Sequence, residues 1–205
     1  MHSRRLLSPF TEWWDSASVL SETPPVRRGK RSSDWQYPQE ALMKNHPPAV
    51  LHLMCGKAGS GKSTLAKNLS QQSHTLLLAE DSWLATLYEQ QMTTLQDYVR
   101  YSARLRQALS EHIVQLLGHG LSVVLDFPMN TPDRRLWARQ LAELAGVEHC
   151  LHFLDVSDAQ CKSRIKIRNE QGDHPFTLSE ETFELLTQYF VPPSEEECLA
   201  VIRYS

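Results

Sequence analysis

The sequence has no long hydrophobic run, few cysteines and little net charge. Its 205 residues contain no stretch of about 18 apolar residues, so no transmembrane helix is predicted. The four cysteines are not spaced in the pairs that bind zinc or form redox motifs, and the nine histidines lack an H-x-x-x-H spacing. We therefore expect reduced thiols and no transition-metal site. Because no apolar signal segment follows the first arginines, we also expect a cytoplasmic protein.

The net charge of −3 is too small to predict a broad surface for duplex nucleic acid. Residues 1–48 carry seven Lys and Arg against five Asp and Glu, which leaves 14 basic and 19 acidic residues for the remainder of the chain. The longer part of the chain is therefore mildly acidic. This balance leaves open only a local basic groove for nucleic acid.

Regular hydrophobic patterning begins near residue 49. Residues 1–48 mix Ser, Pro, Arg and isolated tryptophans without helical or strand periodicity, as is typical of a disordered extension. Met43 precedes the first clear strand, so a start-site artefact would also explain the extension. A docking arm that uses Trp13, Trp14 and Trp35 is the alternative. Residues 49–205 have the length of one α/β domain.

From residue 49 onward, apolar strands alternate with amphipathic helices. Capping residues mark the boundaries: Thr131 and Pro132 suit the start of one helix, and Gly146 suits its end. This alternation predicts a parallel five-stranded sheet covered by helices. The predicted strands are residues 49–55, 75–79, 121–126, 147–154 and 198–204, and the predicted helices are residues 62–72, 94–117, 131–146, a segment from 157, and 179–190.

Residues 56–63 read GKAGSGKS, which matches the phosphate-binding pattern G-x-x-x-x-G-K-[ST]. The glycines let the backbone curl, so that its N–H groups point at a phosphate beside the positive end of the next helix. Lys62 would contact the β- and γ-phosphates, and Ser63 would bind Mg²⁺, which prefers oxygen ligands. A merely flexible loop is the alternative. The predicted nucleotide contacts are Gly56, Lys57, Ala58, Gly59, Ser60, Gly61, Lys62, Ser63 and Thr64.

Acidic residues follow the second and third predicted strands. In an open α/β sheet, ligands bind at the carboxyl ends of the strands, where these side chains would lie. Asp81, and less strongly Glu80, is a candidate general base for an attacking hydroxyl; otherwise Asp81 and Ser82 cap the next helix. Asp126 is a candidate for holding Mg²⁺, directly or through water, or the acceptor, with a plain turn residue as the alternative.

The helix predicted after the fourth strand is strongly basic. Lys162 and Lys166 are four residues apart, as are Arg164 and Arg168, so each pair shares a flank of the helix. A glycine and a proline follow, which suggests a mobile segment. Arginines on a closing lid would stabilise a transferring phosphoryl group, which makes Arg164 and Arg168 candidate catalytic residues. A solvated charged helix is the alternative.

Arg134 and Arg135 begin the helix after the third strand, where cations oppose the helix dipole. A nearby anionic ligand would explain them. An ion pair with Asp133 or another acid would explain them equally well.

Residues 49–204 resemble the P-loop kinases related to the kinase domain of polynucleotide kinase, to chloramphenicol phosphotransferase and to zeta toxins. The resemblance rests on GKAGSGKST, the ED after the second strand, VVLDFPMNTPDRR, FLDVSDAQCKSRIKIRN and FVPPSEEE. It implies a P-loop NTPase three-layer sandwich with a helical lid, which uses ATP and Mg²⁺. Carried over by position, it implies that Asp81 is the general base, Asp126 the acid after the third strand, and Arg164 and Arg168 the lid arginines.

One position departs from the polynucleotide kinases. They have an arginine three residues after the base, where this chain has Leu84. The resemblance therefore favours a kinase that phosphorylates a hydroxyl of a small molecule. The alternatives are an ATP-binding switch that acts through a protein partner, a zeta-like toxin that phosphorylates a nucleotide sugar, and a nucleic-acid 5′-hydroxyl kinase. The sequence does not choose between ATP and GTP, and it leaves the oligomeric state open.

Overall fold

Strands and helices alternate along the part of the chain that the structure describes. The computed structural model describes residues 47–88, 91–172 and 177–205, which belong to one compact unit, Asn45–Ser205. The interpretation of residues 1–48 therefore falls almost entirely outside the described residues. The strands are β1 (Val50–Cys55), β2 (Thr75–Ala79), β3 (Ser122–Pro128), β4 (Glu148–Leu154) and β5 (Val201–Tyr204), and the helices are α1 (Lys62–Leu69), α2 (Glu80–Tyr88), α3 (Leu95–Gly118), α4 (Pro132–Ala145), α5 (Asp158–Gln171) and α6 (Glu180–Gln188).

The five strands form one sheet in the order β2-β3-β1-β4-β5, and every neighbouring pair is parallel. This confirms the predicted sheet. The register aligns Ala79, the last residue of β2, with Asp126 of β3. Because the carboxyl ends of parallel strands meet at one edge, the residues that follow β1, β2 and β3 come together there.

The main core lies between the sheet and helices α3 and α4. Strand residues such as Leu51 and Leu53 are fully buried on this face, and α3 meets them with apolar side chains at helical spacing. The apolar stripe of α3 is therefore core, as its spacing predicts: Leu105, Leu109 and Ile113 are buried, and Leu116 packs against them. The opposite face buries Met54 and Val124 against Ala66 of α1.

Several boundaries differ from the predictions by one to three residues, and three of them have a visible cause. Helix α1 ends at Leu69 rather than at residue 72, because the following residues form turns. Strand β3 continues to Pro128, because the N–H of Met129 still donates to the carbonyl of Met54 at 2.9 Å. Strand β5 begins at Val201 rather than at residue 198, because Cys198 ends a short 3₁₀ turn with φ at 52°.

A buried arginine fastens the C-terminal segment to the sheet. Arg135 is fully buried, and its Nε and Nη2 donate to the two carboxylate oxygens of Glu197 at 2.6 and 2.8 Å. Its Nη1 donates to the carbonyls of Met129 and Val191 at 3.1 and 2.9 Å. Four hydrogen bonds therefore satisfy the buried guanidinium. Of the two explanations offered for Arg135, the ion pair is the one observed.

The glycine loop, residues 56–63, packs closely against α5. A Cβ added to Gly59 would lie 2.6 Å from the carbonyl oxygen of Cys161 and 2.9 Å from Cγ1 of Ile165. Gly59 also has φ at 75°, which side chains disfavour. A glycine is therefore required here both by the backbone conformation and by the approach of α5.

None of the helices in the described ranges is long and apolar enough to cross a membrane.

Replacing Glu197 with Ala is expected to lower the free energy of unfolding by about 3 kcal/mol, because the buried Arg135 loses its counter-charge. Glu143→Ala is the matched control. Glu143 is exposed and pairs with Arg139 one helical turn away, so its loss should cost at most about 0.5 kcal/mol. Urea unfolding of both variants measures the difference, and equal losses would contradict the role given to Arg135.

Gly59→Ala is expected to destabilise the chain by about 1–3 kcal/mol more than Gly146→Ala, because the added methyl group meets α5. Gly146 is a suitable control because its φ is 66° and nothing lies within 4 Å of its added Cβ. Both variants therefore carry similar backbone strain, and only one adds a clash. Thermal unfolding of the two variants gives the comparison, and equal stabilities would show that α5 does not restrain the loop.

Candidate functional site

The glycine loop is held in a curled conformation by its own lysine and by Asn130, which lies two residues after β3. Lys62 Nζ donates to the carbonyls of Gly56 and Lys57 at 2.8 and 2.7 Å. The N–H of Gly56 donates to Oδ1 of Asn130 at 3.0 Å. Sequence reasoning did not single out Asn130, although it lies within the VVLDFPMNTPDRR motif. The start of the loop is thus fixed to the edge of the sheet.

The loop residues fit a bound phosphate. Ser60 Oγ is buried and has no hydrogen-bond partner among the described residues, so it can donate to a ligand oxygen. A Cβ on Gly56 would lie 2.7 Å from Ser60 Oγ, so a larger residue would fill this space. The first turn of α1 has no acidic residue to compete with an anion for the helix N-terminus. These features suit the β-phosphate of a nucleotide.

Asp81 and Asp126 lie close enough to Lys62 to affect the pKa of that lysine. Burial lowers the pKa of Lys62, and the carboxylates of Asp126 and Asp81 oppose that shift. Burial raises the pKa of Asp126, and a hydrogen bond with Ser63 and the charge of Lys62 oppose this. The structure therefore brings the two predicted carboxylates to the predicted lysine, at the edge where β2 and β3 end.

Ser63 and Asp126 together present the oxygen ligands that Mg²⁺ prefers. The Ser63 hydroxyl is near enough to the Asp126 carboxylate to lower its pKa, against the larger effect of burial. A hydroxyl and a carboxylate beside a phosphate site are the donor set in which P-loop proteins hold this ion, with water completing the octahedron. The residues thus fit the ion, and a role in binding it stays a prediction.

Asp81 lies within the first turn of α2, because that helix begins at Glu80. The alternative, in which Asp81 and Ser82 precede and cap the helix, is therefore wrong in its placement. Asp81 is half-buried, and its negative charge opposes the lowering of the pKa of Arg168 by burial. Its carboxylate is thus within electrostatic range of Lys62, which follows the last glycine of the loop, and of Arg168 on α5.

Both predicted lid arginines reach the site from α5. Arg164 Nη1 donates to the carbonyl of Ser60 at 3.0 Å. Arg168 lies one turn further along, near Asp81, and its buried Nε has no hydrogen-bond partner among the described residues. The segment proposed to move after this helix includes residues 173–176, which lie outside the described residues. A lid function for α5 therefore stays a prediction.

Lys162 of the basic helix and Lys57 of the glycine loop form ion pairs with acidic side chains. Lys162 Nζ contacts Glu180 and Glu184 of α6 at 2.6 and 2.9 Å, and Lys57 pairs with Asp158. The basic surface predicted for α5 is therefore divided. Arg164 contacts the glycine loop, Arg168 lies near Asp81, and Lys162 binds the acidic residues of α6.

Glu80 is the centre of a buried network rather than a second base. Its carboxylate is fully buried and accepts hydrogen bonds from Tyr98 Oη at 2.8 Å and from the Ser102 hydroxyl. Arg134 Nη1 lies 3.5 Å from it and Arg106 Nη1 3.9 Å. The weaker candidacy of Glu80 as general base is thus unsupported, and the ion-pair explanation of Arg134 holds. The polar residues Tyr98, Ser102 and Arg106 recur every four residues on α3, which is the sequence signal for this network.

A known family matches most of the described chain. The AAA domain (AAA_33) matches residues 51–193. A curated relative, the KTI12 homolog protein of Arabidopsis thaliana, is 27% identical over 151 residues, which cover 70% of this chain and 48% of the relative. The chain thus spans about half of the length of the curated relative that it matches.

Two solved structures share the fold. The first, described as a candidate kinase of Chloroflexus aurantiacus, has a TM-score of 0.60 and 19% identity over 78% of this chain and 86% of that one. The second is Kti12 of Chaetomium thermophilum in complex with ADP-AlF3, with a TM-score of 0.55 and 15% identity over 77% and 89% of the two chains. Both likenesses support the P-loop kinase-like fold that the sheet order and the glycine loop indicate. The chain therefore has a P-loop kinase-like fold and belongs to the AAA domain family.

Proposed function

We propose that this protein is an ATP-dependent kinase that transfers the γ-phosphoryl group to a hydroxyl of a small molecule. The observation that supports it is the convergence of Asp81 and Asp126 on Lys62 of the glycine loop. Binding of a nucleotide alone requires only the loop. A second carboxylate, Asp81, that interacts with both Lys62 and Arg168 suits a group that accepts a proton from an attacking hydroxyl.

In the proposed reaction, Asp81 orients the acceptor hydroxyl and accepts its proton. The hydroxyl oxygen then forms a bond to the γ-phosphorus, while the bond from that phosphorus to the β–γ bridging oxygen breaks and ADP leaves with the electron pair. Lys62 and the loop amides stabilise the charge on the β- and γ-phosphates, and Arg164 and Arg168 stabilise the transferring group. Mg²⁺ bound near Ser63 and Asp126 would supply further charge neutralisation.

The walls of the site favour an acceptor with little negative charge. Leu84, at the position where polynucleotide kinases have an arginine, is fully buried in the main core. Arg134 and Arg106 are both directed at Glu80, which balances only one of their two charges. What ranks a nucleic-acid 5′-hydroxyl below an uncharged small molecule is therefore the leucine at position 84, where an arginine would hold a substrate phosphate.

A second candidate function is ATP hydrolysis that a protein partner controls. The outer face of α2, the helix that carries Asp81, exposes Trp83 and Leu87, with 40% and 49% of their surfaces accessible. These residues are four positions apart and so form one apolar strip beside the proposed base. A partner docked there would contact the helix that positions Asp81. This candidate predicts slow hydrolysis that the partner stimulates and that Asp81 hardly affects.

Asp81→Asn is expected to lower the turnover number by about 10²–10⁴, because the amide cannot accept the acceptor's proton. The affinity for Mg-ATP should change little, since the loop and Lys62 are untouched. Asp133→Asn, which changes an exposed aspartate in the first turn of α4, is the matched control. Transfer from γ-labelled ATP to compounds in a metabolite extract measures the activity.

Three outcomes of that experiment distinguish the functions. Label in a small molecule for the wild type and Asp133→Asn, but not for Asp81→Asn, supports the kinase. Label that appears only as free phosphate, equally in all three proteins, overturns it and favours the partner-controlled ATPase. Label on a nucleotide sugar, together with growth arrest that Lys62→Ala abolishes, would instead identify a zeta-like toxin.

Asp126→Asn is expected to stabilise the nucleotide-free protein while weakening its response to Mg²⁺. The folded protein raises the pKa of Asp126, so the charged form costs stability above that pKa, and a neutral amide removes this cost. The midpoint of thermal unfolding should therefore rise by about a few degrees at pH 7. Added Mg-ATP should raise it less than in the wild type. A fall without nucleotide, or an unchanged response to Mg-ATP, would contradict the placement of Asp126.

A further inference from the structure

Three side chains that the phosphate site does not use meet on the other face of the sheet. His52 of β1 and Cys150 and His152 of β4 each offer a ligand atom, and these atoms all lie within 4.8 Å of one another. In the register of the two strands His52 is aligned with Cys150, and Met54 with His152. The alternation of β4 places Cys150 and His152 on one face, and the pairing with β1 adds His52. We propose that His52, Cys150 and His152 form a binding site for a borderline-soft divalent cation such as Zn²⁺.

The distance between the two imidazoles suits a shared metal ion. His52 Nδ1 and His152 Nε2 are 3.1 Å apart. In a tetrahedral zinc site with bonds of about 2.05 Å, two nitrogen ligands are separated by about 3.3 Å. A small rotation of the rings therefore admits the ion. Two imidazoles and one thiolate are the ligand types that select zinc over magnesium or calcium. With three protein ligands, a water molecule would complete the tetrahedron.

His152 is oriented by a second partner. Its other nitrogen, Nδ1, shares a hydrogen bond of 2.8 Å with the hydroxyl of Tyr204 on β5. If Nδ1 carries the proton, Nε2 keeps its lone pair directed at His52 and the proposed ion. A ring nitrogen that is hydrogen-bonded in this way is the usual support of a metal-binding histidine. Tyr204 therefore extends the proposed site across three strands of the sheet.

The ionisation of the cluster is compatible with metal binding near neutral pH. Burial lowers the pKa of His52, and burial together with the charge of His52 lowers that of His152 to about 4, so both rings are neutral. Neutral imidazole is the form that binds a metal ion. Burial raises the pKa of the Cys150 thiol, which therefore keeps its proton until a metal arrives. Binding releases that proton to solvent. His52 also changes tautomer: its ring proton moves from Nδ1 to Nε2, which leaves Nδ1 free to bind the ion.

The cluster is accessible and distinct from the phosphate site. His152 is buried, whereas His52 and Cys150 are half-buried, so an ion has a path from solvent. His52 precedes Gly56 by four residues along β1, and its side chain is on the face opposite to the main core. An ion here would join β1 to β4 beneath the glycine loop. It takes no part in the phosphoryl transfer proposed above.

The test uses the full chain, stripped of metal with a chelator and then titrated with Co²⁺ and Zn²⁺. We expect one equivalent of Co²⁺ to produce a thiolate charge-transfer band, and Zn²⁺ to displace it. Cys150→Ser should remove the band, His52→Gln should weaken Zn²⁺ binding by about 100-fold or more, and Tyr204→Phe should weaken it by about 10–100-fold. Cys198→Ser, which removes an exposed cysteine outside the cluster, should change nothing.

A second measurement needs no variant and so does not depend on how the variants fold. Zn²⁺ should slow alkylation of Cys150 in the wild type by about tenfold or more, because the bound thiolate is shielded, while the rate at Cys198 stays the same. Mass spectrometry measures the extent of alkylation at both cysteines in one sample. The proposal would be overturned by any of three results: no tight metal binding in the wild type, a charge-transfer band that persists in Cys150→Ser, or an alkylation rate of Cys150 that Zn²⁺ does not change. The histidines would then be a hydrogen-bonded pair only.

Discussion

The buried guanidinium of Arg135 is the interaction on which the arrangement of the site depends. It binds the carbonyl of Met129, immediately before the residue whose side chain accepts a hydrogen bond from Gly56. Its other donors bind Val191 and Glu197, so the segment that leads into β5 is held to the same point. A buried charge without such partners would be strongly unfavourable, so burial of Arg135 requires these partners to be in place. One residue thus joins the start of the glycine loop, the end of β3 and the C-terminal strand.

Two adjacent acids on α2 have opposite roles because a helix rotates neighbouring side chains by about 100°. Glu80 points into the protein, where α3 and Arg134 surround it with donors. Asp81 is half-buried, and its carboxylate raises the pKa of Lys62 and of Arg168 against the effect of burial. The network around Glu80 fixes the first turn of α2, and so it fixes the position of Asp81 relative to the loop. The structural support and the proposed proton acceptor are therefore consecutive residues of one helix.

The two faces of the sheet carry different chemistry. The glycine loop and the carboxylates of Asp81 and Asp126 lie at the edge where the strands end, as the geometry of parallel strands requires. The face opposite to the main core carries His52, Cys150 and His152, which the proposed metal ion would join. Strand β1 contributes to both, since the loop follows it and His52 lies within it. A change in the pairing of β1 with β4 would therefore affect the support of the loop as well as the histidine cluster.

The sequence by itself determined the features that depend on short spacing. The glycine loop, the alternation of strands and helices, and the acids after β2 and β3 are local patterns, and local backbone preferences fix their structure. Tertiary structure decided what joins distant residues. Arg135 and Glu197 are 62 positions apart, and His52 and His152 are 100 apart. No periodicity links such pairs, because the strand order and register of the sheet bring them together. For the same reason the sequence offered two explanations for Arg134 and Arg135 and missed the histidine and cysteine cluster, which only the pairing of β1 with β4 creates.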